Sequence, residues 1–269
     1  MFSNVFISII TVSYNSEKTI SRTIESVLSQ NFDNYEYIII DGLSSDKTVD
    51  IVNSYLPLFE QKLRLISEPD NGIYDAMNKG IKLSKGNYVW LVNADDWIEP
   101  NALSLIFKFH QDNNLKYDKL IQGGINIRDF ETLELKHRKI VNDGKMFKKY
   151  SSKLQMGIIH PSIIVPKCIY NKIGLYDDRY YISADVDFAI RCYRNKVNLV
   201  CLKSVLSNMS DGGISNQLPF FKNWHDWNLR YEKFCSNIFY KTYCLSLSSI
   251  KLLLRKYLPK TLLNKMLHQ

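Results

Sequence analysis

The chain has 269 residues, of which 45% are hydrophobic, 13% aromatic and 23% charged. This length and composition suffice for a full hydrophobic core and exclude a disordered chain. The formal net charge is +8, which is compatible with nucleic acid, an anionic membrane or an anionic substrate, so its placement decides more than its size.

The cysteine pattern and the lengths of the apolar runs indicate the cellular compartment of the protein. The five cysteines form no CxxC pair, which argues against a zinc site or a disulfide framework and favours a reducing cytoplasm. The start, MFSNVFISII, lacks the features of a signal peptide and predicts a strand. No apolar run reaches the roughly 18 residues that cross a bilayer. We therefore expect a soluble or peripheral cytoplasmic protein.

The first half of the chain alternates between strand and helix patterns. VFISIITVSYN is typical of a strand buried on both faces, and Ile20, Ile24 and Val27 then mark the apolar face of a helix. We expect that helix to begin near Asn15 or Ser16. YEYIIID, KLRLISE and NYVWLVN predict three further strands, with helices between them. This alternation predicts an α/β fold, a mostly parallel sheet with helices on both faces.

The second half has a less regular pattern. DKLIQGGINIRD and LELKHRKIV predict two strands joined by a turn, and GIIHPSIIVPKC predicts another strand. A helix is expected from about Ser183, followed by a strand in VNLVCLKSVLSNMS and a Gly-Gly loop. Residues from Leu218 onward have a helical, basic pattern.

Four polar segments follow the four strands predicted in the first half: SYN, DGLSSD, EPDNG and NADD. In such sheets, ligands bind beyond the carboxyl ends of the strands. Neither GxGxxG nor a Gly-Lys-Ser/Thr turn is present, which argues against a dinucleotide-binding fold or a P-loop. Because three of the segments carry acids, a phosphate-bearing ligand here would need a metal ion between it and the protein.

These segments, in this order, resemble the nucleotide-sugar-binding half of inverting glycosyltransferases of family 2, which have a GT-A fold. The matching stretches are ISIITVSYNSEKTISRTIESVLSQ, YEYIIIDGLSSDKT, SEPDNGIYDAMNKGIKLSKGNYVWLVNADD, HPSIIVPK, GLYDDRYYISADVDFAIR and DGGIS. EPDNGIYDAMNKGI and NADD are similar to the versions in bacterial enzymes that build O-antigen in lipopolysaccharide, capsule and other surface polysaccharides.

The resemblance implies a division of the chain. Residues 1–215 are expected to form the catalytic domain, with a nucleotide-sugar-binding half at 1–98 and an acceptor-binding half at 99–215. Residues 216–269 are expected to form a helical, basic extension.

On the donor side, the resemblance implies a UDP-sugar held by residues at the strand ends. Tyr14 is expected to lie against the uracil or ribose, and Asp41 to accept a hydrogen bond from either. Many family members have two adjacent acids here, whereas this chain has Asp41-Gly42. Asn78 fits the A-x-N-x-G element, in which a helix packs against the donor site, and the resemblance implies that Asn78 also contacts the nucleotide. For Asp70, near the start of that helix, capping is an alternative to ligand contact.

NADD fits the metal-binding position of the family. Mn²⁺ or Mg²⁺ suits oxygen ligands and neutralises a diphosphate leaving group, so Asp95 is assigned to the metal. Asp96 is a second ligand or a helix cap before Pro100. Asn93 replaces the first acid of the family and is expected to make a neutral hydrogen bond near the ribose or phosphate.

On the acceptor side, an inverting transfer needs a base that takes the proton of the attacking hydroxyl. The resemblance assigns this role to Asp185, with Asp187 as the second choice or as a partner of Arg191 or a helix cap. His160 either contacts phosphate or acceptor or is structural. DGGIS, with Gly212, is either a mobile flap or a tight turn.

The C-terminal tail carries cations and no acid. Its apolar side either lies on an anionic membrane or packs on the catalytic domain, and we favour the membrane because surface-polysaccharide acceptors are often lipid-diphosphate-linked saccharides. Nucleic acid is not an expected partner. From residue 241 the cations are Lys241, Lys251, Arg255, Lys256, Lys260 and Lys265.

The sequence thus predicts a metal-dependent inverting glycosyltransferase that moves a hexose or N-acetylhexosamine from a UDP-sugar to a lipid-linked or growing glycan. Two alternatives stay open at this point. A nucleotidyltransferase would need a Gly-rich basic loop after the first strand, and TVSYNSEKT is not one. A catalytically silent nucleotide- or glycan-binding module is kept open by Asn93.

Overall fold

A computed structural model describes residues 5–141, 143–212 and 220–235. The strands are β1 (Ile7–Ser13), β2 (Tyr35–Asp41), β3 (Leu63–Ser67), β4 (Tyr88–Leu91), β5 (Trp97–Ile98), β6 (Lys119–Arg128), β7 (Leu135–Lys139), β8 (Ile163–Pro166) and β9 (Asn198–Ser210). The helices are α1 (Ile20–Leu28), α2 (Thr48–Tyr55), α3 (Ile73–Leu83), α4 (Ala102–Asp112), α5 (Lys145–Ser151), α6 (Lys167–Ile173), α7 (Ala184–Arg194) and α8 (Phe220–Phe234). Short 3₁₀ turns lie at Leu56–Phe59 and His160–Ser162.

The described strands form one nine-stranded sheet in the order β3-β2-β1-β4-β8-β6-β9-β5, with β7 paired to β6. β1, β2, β3 and β4 run parallel, as the alternating pattern predicts. The second half adds antiparallel pairs of β8 with β4 and with β6, while β9 runs parallel to β6. The sheet therefore continues from one half of the chain into the other without a break.

Alternate residues of the central strands face two separate hydrophobic layers. Ile9 and Ile39 pack with residues of α1, α2 and α4, whereas Ile10 and Ile40 pack with α3, α6 and α7. A side chain on Gly80 would overlap Ile10, which confirms close packing of α3 on the sheet. Helices thus cover both faces and leave the strand ends as the place for a ligand.

The first residues of α1 and α7 can be compared with the starting points predicted from the sequence. α1 begins at Ile20, later than expected from Asn15 or Ser16, because Ser16 supplies the carbonyl for the first turn instead. α7 begins directly after Ser183, as predicted. The division at residues 98 and 215 stays a prediction.

Other predictions depend on which residues are described. Cys168, Cys192 and Cys201 are free thiols, while Cys244 and the tail from residue 236 lie outside the described residues. Within the described ranges, every helix is too short or too polar to span a bilayer.

Candidate active site

The carboxyl ends of the first three strands lie in register. Ser13 pairs with Asp41, and Asp41 pairs with Ser67. The Asp41 carboxylate is fully buried and accepts four hydrogen bonds, from Ser13 Oγ, Ser67 Oγ and both the amide and hydroxyl of Ser44, at 2.5–3.1 Å. Asp41 therefore fastens three strand ends together, and both of its oxygens are already occupied by the protein.

The Tyr14 ring lies at the same edge and is 65% exposed. It borders Gly42, and a Cβ on Gly42 would lie 3.4 Å from Tyr14 Cδ2 and would overlap the Asp70 carboxylate. Asp70 is thus a partly exposed acid beside the Tyr14 ring. The possible role of Asp70 as a helix cap does not indicate this placement, although the absence of a second acid at residue 42 is a signal of it.

The NADD loop follows β4 and is held by α1. Thr23 Oγ1 donates to the carbonyls of Ala94 and Asp96 at 2.9 and 2.6 Å, and Arg22 Nη2 donates to the Asp95 carbonyl at 2.9 Å. The Arg22 guanidinium also lies 4.1 Å from the centre of the Trp97 ring. The loop is therefore fixed by a helix whose polar contribution could not be recognised from its apolar pattern.

Asp96 does not have the position expected of a metal ligand. It is 1% exposed, and its oxygens accept from the Ser210 amide at 3.1 Å and from Asn93 Nδ2 at 3.2 Å. Burial, with the neighbouring Asp95, raises the pKa of Asp96 well above its ordinary value. It does not cap a helix either, since α4 begins only at Ala102. Asp96 instead ties the NADD loop to the end of β9.

Asp95 is the partly exposed carboxylate of the loop. Burial raises its pKa, and the Arg22 charge acts in the opposite direction. Asn93 Oδ1 is buried and has no hydrogen-bond partner among the described residues. A buried oxygen without a donor is unfavourable unless a ligand satisfies it.

These groups fit a divalent cation held mainly by its substrate. The described part of the chain contains no cluster of three or more His, Cys, Asp or Glu side chains that could hold a metal by itself. Mg²⁺ and similar ions are commonly bound through one or two carboxylates together with substrate phosphates. Asp95, the partly exposed carboxylate of the loop, provides such a ligand, while the unpartnered Asn93 oxygen can accept a hydrogen bond from the same substrate.

Asn78 joins α3 to the segment between α6 and α7. Its Nδ2 donates to the Tyr176 carbonyl at 2.9 Å, and its Oδ1 accepts from the Tyr176 amide at 3.0 Å. The expectation that Asn78 contacts the nucleotide is therefore corrected, because a buried clamp to Tyr176 occupies both of its polar atoms. His160 contacts the Tyr176 hydroxyl at 3.1 Å, and burial lowers the pKa of His160 to about 4, so its imidazole is neutral.

Asp185 lies in the first turn of α7 and is partly exposed. Burial raises its pKa to about 7, against opposing effects of the Val186 amide and the Arg230 charge. The buried Tyr74 side chain, in the first turn of α3, contacts the backbone amides of Ala184 and Asp185. Because α3 follows the EPDNG segment, this contact brings Asp185 to the side of the crevice where Asp70 lies.

The segment before Asp185 is held by α8. The Asp226 carboxylate accepts hydrogen bonds from the amides of Tyr181, Ile182 and Ser183 at 2.8–3.0 Å and is buried. Arg230 also lies on α8 and is buried. Its charge is close enough to Asp185 to oppose part of the rise that burial produces in the pKa of Asp185. Asp226 and Arg230 could not be predicted from the sequence, because nothing in a basic helical pattern shows which residues face the site.

The surroundings of Asp187 indicate a structural role. It is fully buried and forms ion pairs with Arg191 at 2.7 Å and Lys233 at 2.7 Å. The predicted alternative of a pair with Arg191 is confirmed, and the ion pairs leave Asp185 as the acid available to a substrate. Of the DGGIS segment, residues 213–215 lie outside the described residues, while Gly212 packs against Phe130.

The comparisons with known proteins concern the family and the fold. The family model described as Glycosyl transferase family 2 matches residues 8–172. A PGL/p-HBAD biosynthesis glycosyltransferase of Mycobacterium tuberculosis is 30% identical over 217 residues, 78% of this chain and 79% of that protein. An uncharacterized glycosyltransferase of Methanocaldococcus jannaschii is 26% identical over 260 residues, 90% and 86% of the two chains.

The fold is also similar to a solved structure. S. aureus TarS 1–349 in complex with UDP-GlcNAc superposes with a TM-score of 0.66 at 18% identity, over 87% of this chain and 67% of that one. This likeness confirms the GT-A fold, and the chain spans about two thirds of that structure. Since the family match covers more than half of the chain, the protein belongs to glycosyl transferase family 2 and is a glycosyltransferase.

Proposed function

We propose that the protein transfers a hexose or N-acetylhexosamine from a UDP-sugar, with inversion, to a lipid-linked or growing glycan of a bacterial surface polysaccharide. The observation that carries this proposal is Asp185, a partly exposed carboxyl with a pKa of about 7 beside the nucleotide-sugar crevice. A general base works best when its pKa lies near the working pH.

The donor is proposed to lie across the carboxyl ends of β1, β2 and β4. Tyr14 offers an exposed ring to the base or ribose, and Asn93 Oδ1 offers an unpartnered oxygen to a ribose hydroxyl. Similarity of the fold to TarS, solved in complexes with UDP and with UDP-GlcNAc, supports a UDP-sugar as the donor.

Asp95 is proposed to hold Mn²⁺ or Mg²⁺ together with the donor diphosphate. When bound, such an ion neutralises the charge that builds on the diphosphate leaving group. The Arg22 guanidinium donates to the Asp95 carbonyl and keeps the loop in place. It also contributes positive charge near the carboxylates of Asp95 and Asp96.

The transfer itself is proposed to be one displacement. The acceptor hydroxyl oxygen attacks the anomeric carbon from the face opposite the diphosphate, and the bond from that carbon to the diphosphate oxygen breaks. Asp185 takes the hydroxyl proton, and UDP leaves with the bonding electron pair. Since the base lies on α7 and the Asp95 loop follows β4, the two groups belong to different halves of the domain.

Association with the inner face of the cell membrane is also proposed. The six cations and no acids from residue 241 onward support attraction to anionic lipid. We expect the full chain to sediment with phosphatidylglycerol vesicles and not with phosphatidylcholine vesicles. Equal sedimentation with both would contradict this part of the proposal.

The main test is a donor and acceptor screen. UDP release would be measured with a panel of UDP-hexoses and UDP-N-acetylhexosamines and with synthetic lipid-diphosphate monosaccharides, with and without Mn²⁺. We expect metal-dependent transfer with at least one pair, and an anomeric configuration opposite to that of the donor. Absence of both transfer and donor hydrolysis across the panel would favour a silent binding module.

A further inference from the structure

Asp41, the acid that the family pattern assigns to the nucleobase, is not accessible to a ligand in this chain. Asp41 is fully buried, and each of its two oxygens already accepts two hydrogen bonds from serine groups. A carboxylate in that state holds the strand ends together and presents no free oxygen to a ligand. The exposed Tyr14 ring would therefore face a nucleobase whose polar edge finds no hydrogen-bond acceptor at Asp41.

Gly42 makes room for a different acid. Residue 42 occupies the position where many family members have a second acid, and a Cβ there would overlap the Asp70 carboxylate. The same point lies 3.2 Å from Asp70 Cγ and 3.4 Å from Tyr14 Cδ2. The Asp70 carboxylate therefore fills the space of the missing side chain, next to the Tyr14 ring.

The Asp70 carboxylate is oriented by the turn that starts α3. Its Oδ1 accepts from the Gly72 amide at 2.8 Å, and Gly72 has a φ of +116°, which favours glycine. Among the described residues, no donor contacts Oδ2, the oxygen directed at Gly42. One oxygen is thus fixed by the backbone and the other is available.

We propose that Asp70 reads the edge of the donor nucleobase, with Oδ2 accepting the imide N–H of uracil while the base lies against Tyr14. This inference rests on the proposed UDP-sugar donor and adds the residue that selects the base. Cytosine has a lone pair at the position where uracil has its N–H, so a carboxylate favours uracil and repels cytosine.

The first test measures binding of UDP and CDP to the full chain by titration calorimetry in the presence of Mg²⁺. In Asp70→Asn the retained oxygen still accepts from the Gly72 amide, while the new NH₂ replaces the acceptor oxygen. We expect UDP binding to weaken at least about tenfold, the effect of losing one hydrogen bond to a charged group. CDP binding should strengthen, because the NH₂ donates to cytosine.

Glu68→Gln is the matched control. Glu68 is an acid two residues away, its side chain is 49% exposed and it pairs with Lys79. Its substitution should leave the UDP-to-CDP affinity ratio unchanged. Melting curves of all variants would verify that they are folded.

A second test moves the acid back to residue 42. The backbone at Gly42 is outside the left-handed region, so an aspartate is sterically compatible there once Asp70 is removed. Gly42→Asp alone should weaken UDP binding because of the overlap, and Gly42→Asp with Asp70→Gly should recover preference for UDP over CDP.

Unchanged UDP and CDP affinities in Asp70→Asn, with wild-type UDP binding intact, would overturn this inference and leave the proposed UDP-sugar donor standing. Failure of the wild type to bind UDP would overturn both.

Discussion

The proposed donor edge, at the carboxyl ends of β1, β2 and β4, and the base region, which is the start of α7 with Asp185 as the proposed base, hold their acids in different ways. At the donor edge, Asp41 is fastened by serines on strands paired with it in register. In the base region, the segment before Asp185 is held by Asp226, a residue 43–45 positions further along the chain. The donor edge is thus built from the sheet itself, whereas the base depends on a helix added after the sheet is complete.

The two regions also differ in their electrostatics. Near the donor edge, the Arg22 charge opposes the rise that burial produces in the pKa of Asp95. At the base, burial prevails over Arg230 and raises the pKa of Asp185 to about 7. A pKa near the working pH makes Asp185 suited to exchanging a proton.

The largest expected effect separates the regions directly. Asp185→Asn should lower kcat by about 10³-fold, because an amide cannot take the hydroxyl proton. UDP affinity should stay within about twofold, since the donor edge is untouched. Steady-state transfer assays and calorimetry would measure both, with Asp178→Asn, an exposed acid nearby, as the control. Full activity in Asp185→Asn would show that the base lies elsewhere.

A somewhat smaller effect is expected at the donor edge. Asp95→Ala should reduce transfer about 100-fold and should abolish the dependence of UDP binding on Mn²⁺, because the loop loses its accessible carboxylate. Calorimetry with and without Mn²⁺ tests this, and Asp112→Ala, at the exposed end of α4, is the control. Metal-dependent UDP binding that survives in Asp95→Ala would contradict the assignment.

An intermediate effect should come from the helix that holds the base. Asp226→Asn weakens the hydrogen bonds to the segment 181–183, and we expect kcat to fall about tenfold. The Asp226 charge raises the pKa of Asp185, so its removal should also shift the acidic limb of the pH–rate profile to lower pH. A purely structural role would lower activity without moving that limb. Asn228→Ala, whose side chain contacts Glu232 on the same helix, is the control.

The difference between the donor edge and the base region explains which site residues could be predicted from the sequence. The strand-end rule located Tyr14, Asp41 and Asp95 because parallel strands necessarily bring their carboxyl ends to one edge. It could not show that Asp41 is buried or that Asp70 lies in the space left by Gly42, because both facts depend on side-chain packing.

The base region was less predictable for a related reason. The ADVD pattern limited the base to two acids, yet only the ion pairs of Asp187 with Arg191 and Lys233 distinguish them. Likewise, Asn78 has a family motif around it, but its partner Tyr176 is 98 residues away. Long-range partners of this kind leave no local periodicity in a single sequence.

The smallest expected effect concerns stability and its dependence on pH. The pKa of Asp185 is about 7 in the folded protein and near 3.8 in a solvated chain, so between these values folding takes up a proton. The contribution of Asp185 to stability therefore falls as pH rises from about 4 to 7, and it is most unfavourable above pH 7. Asp185→Asn lacks this ionisation, so it should melt a few degrees above the wild type at pH 8 and close to it at pH 4.5. Melting curves at both pH values test this, and an equal difference at both would mean that burial of the charge at the base does not destabilise the fold.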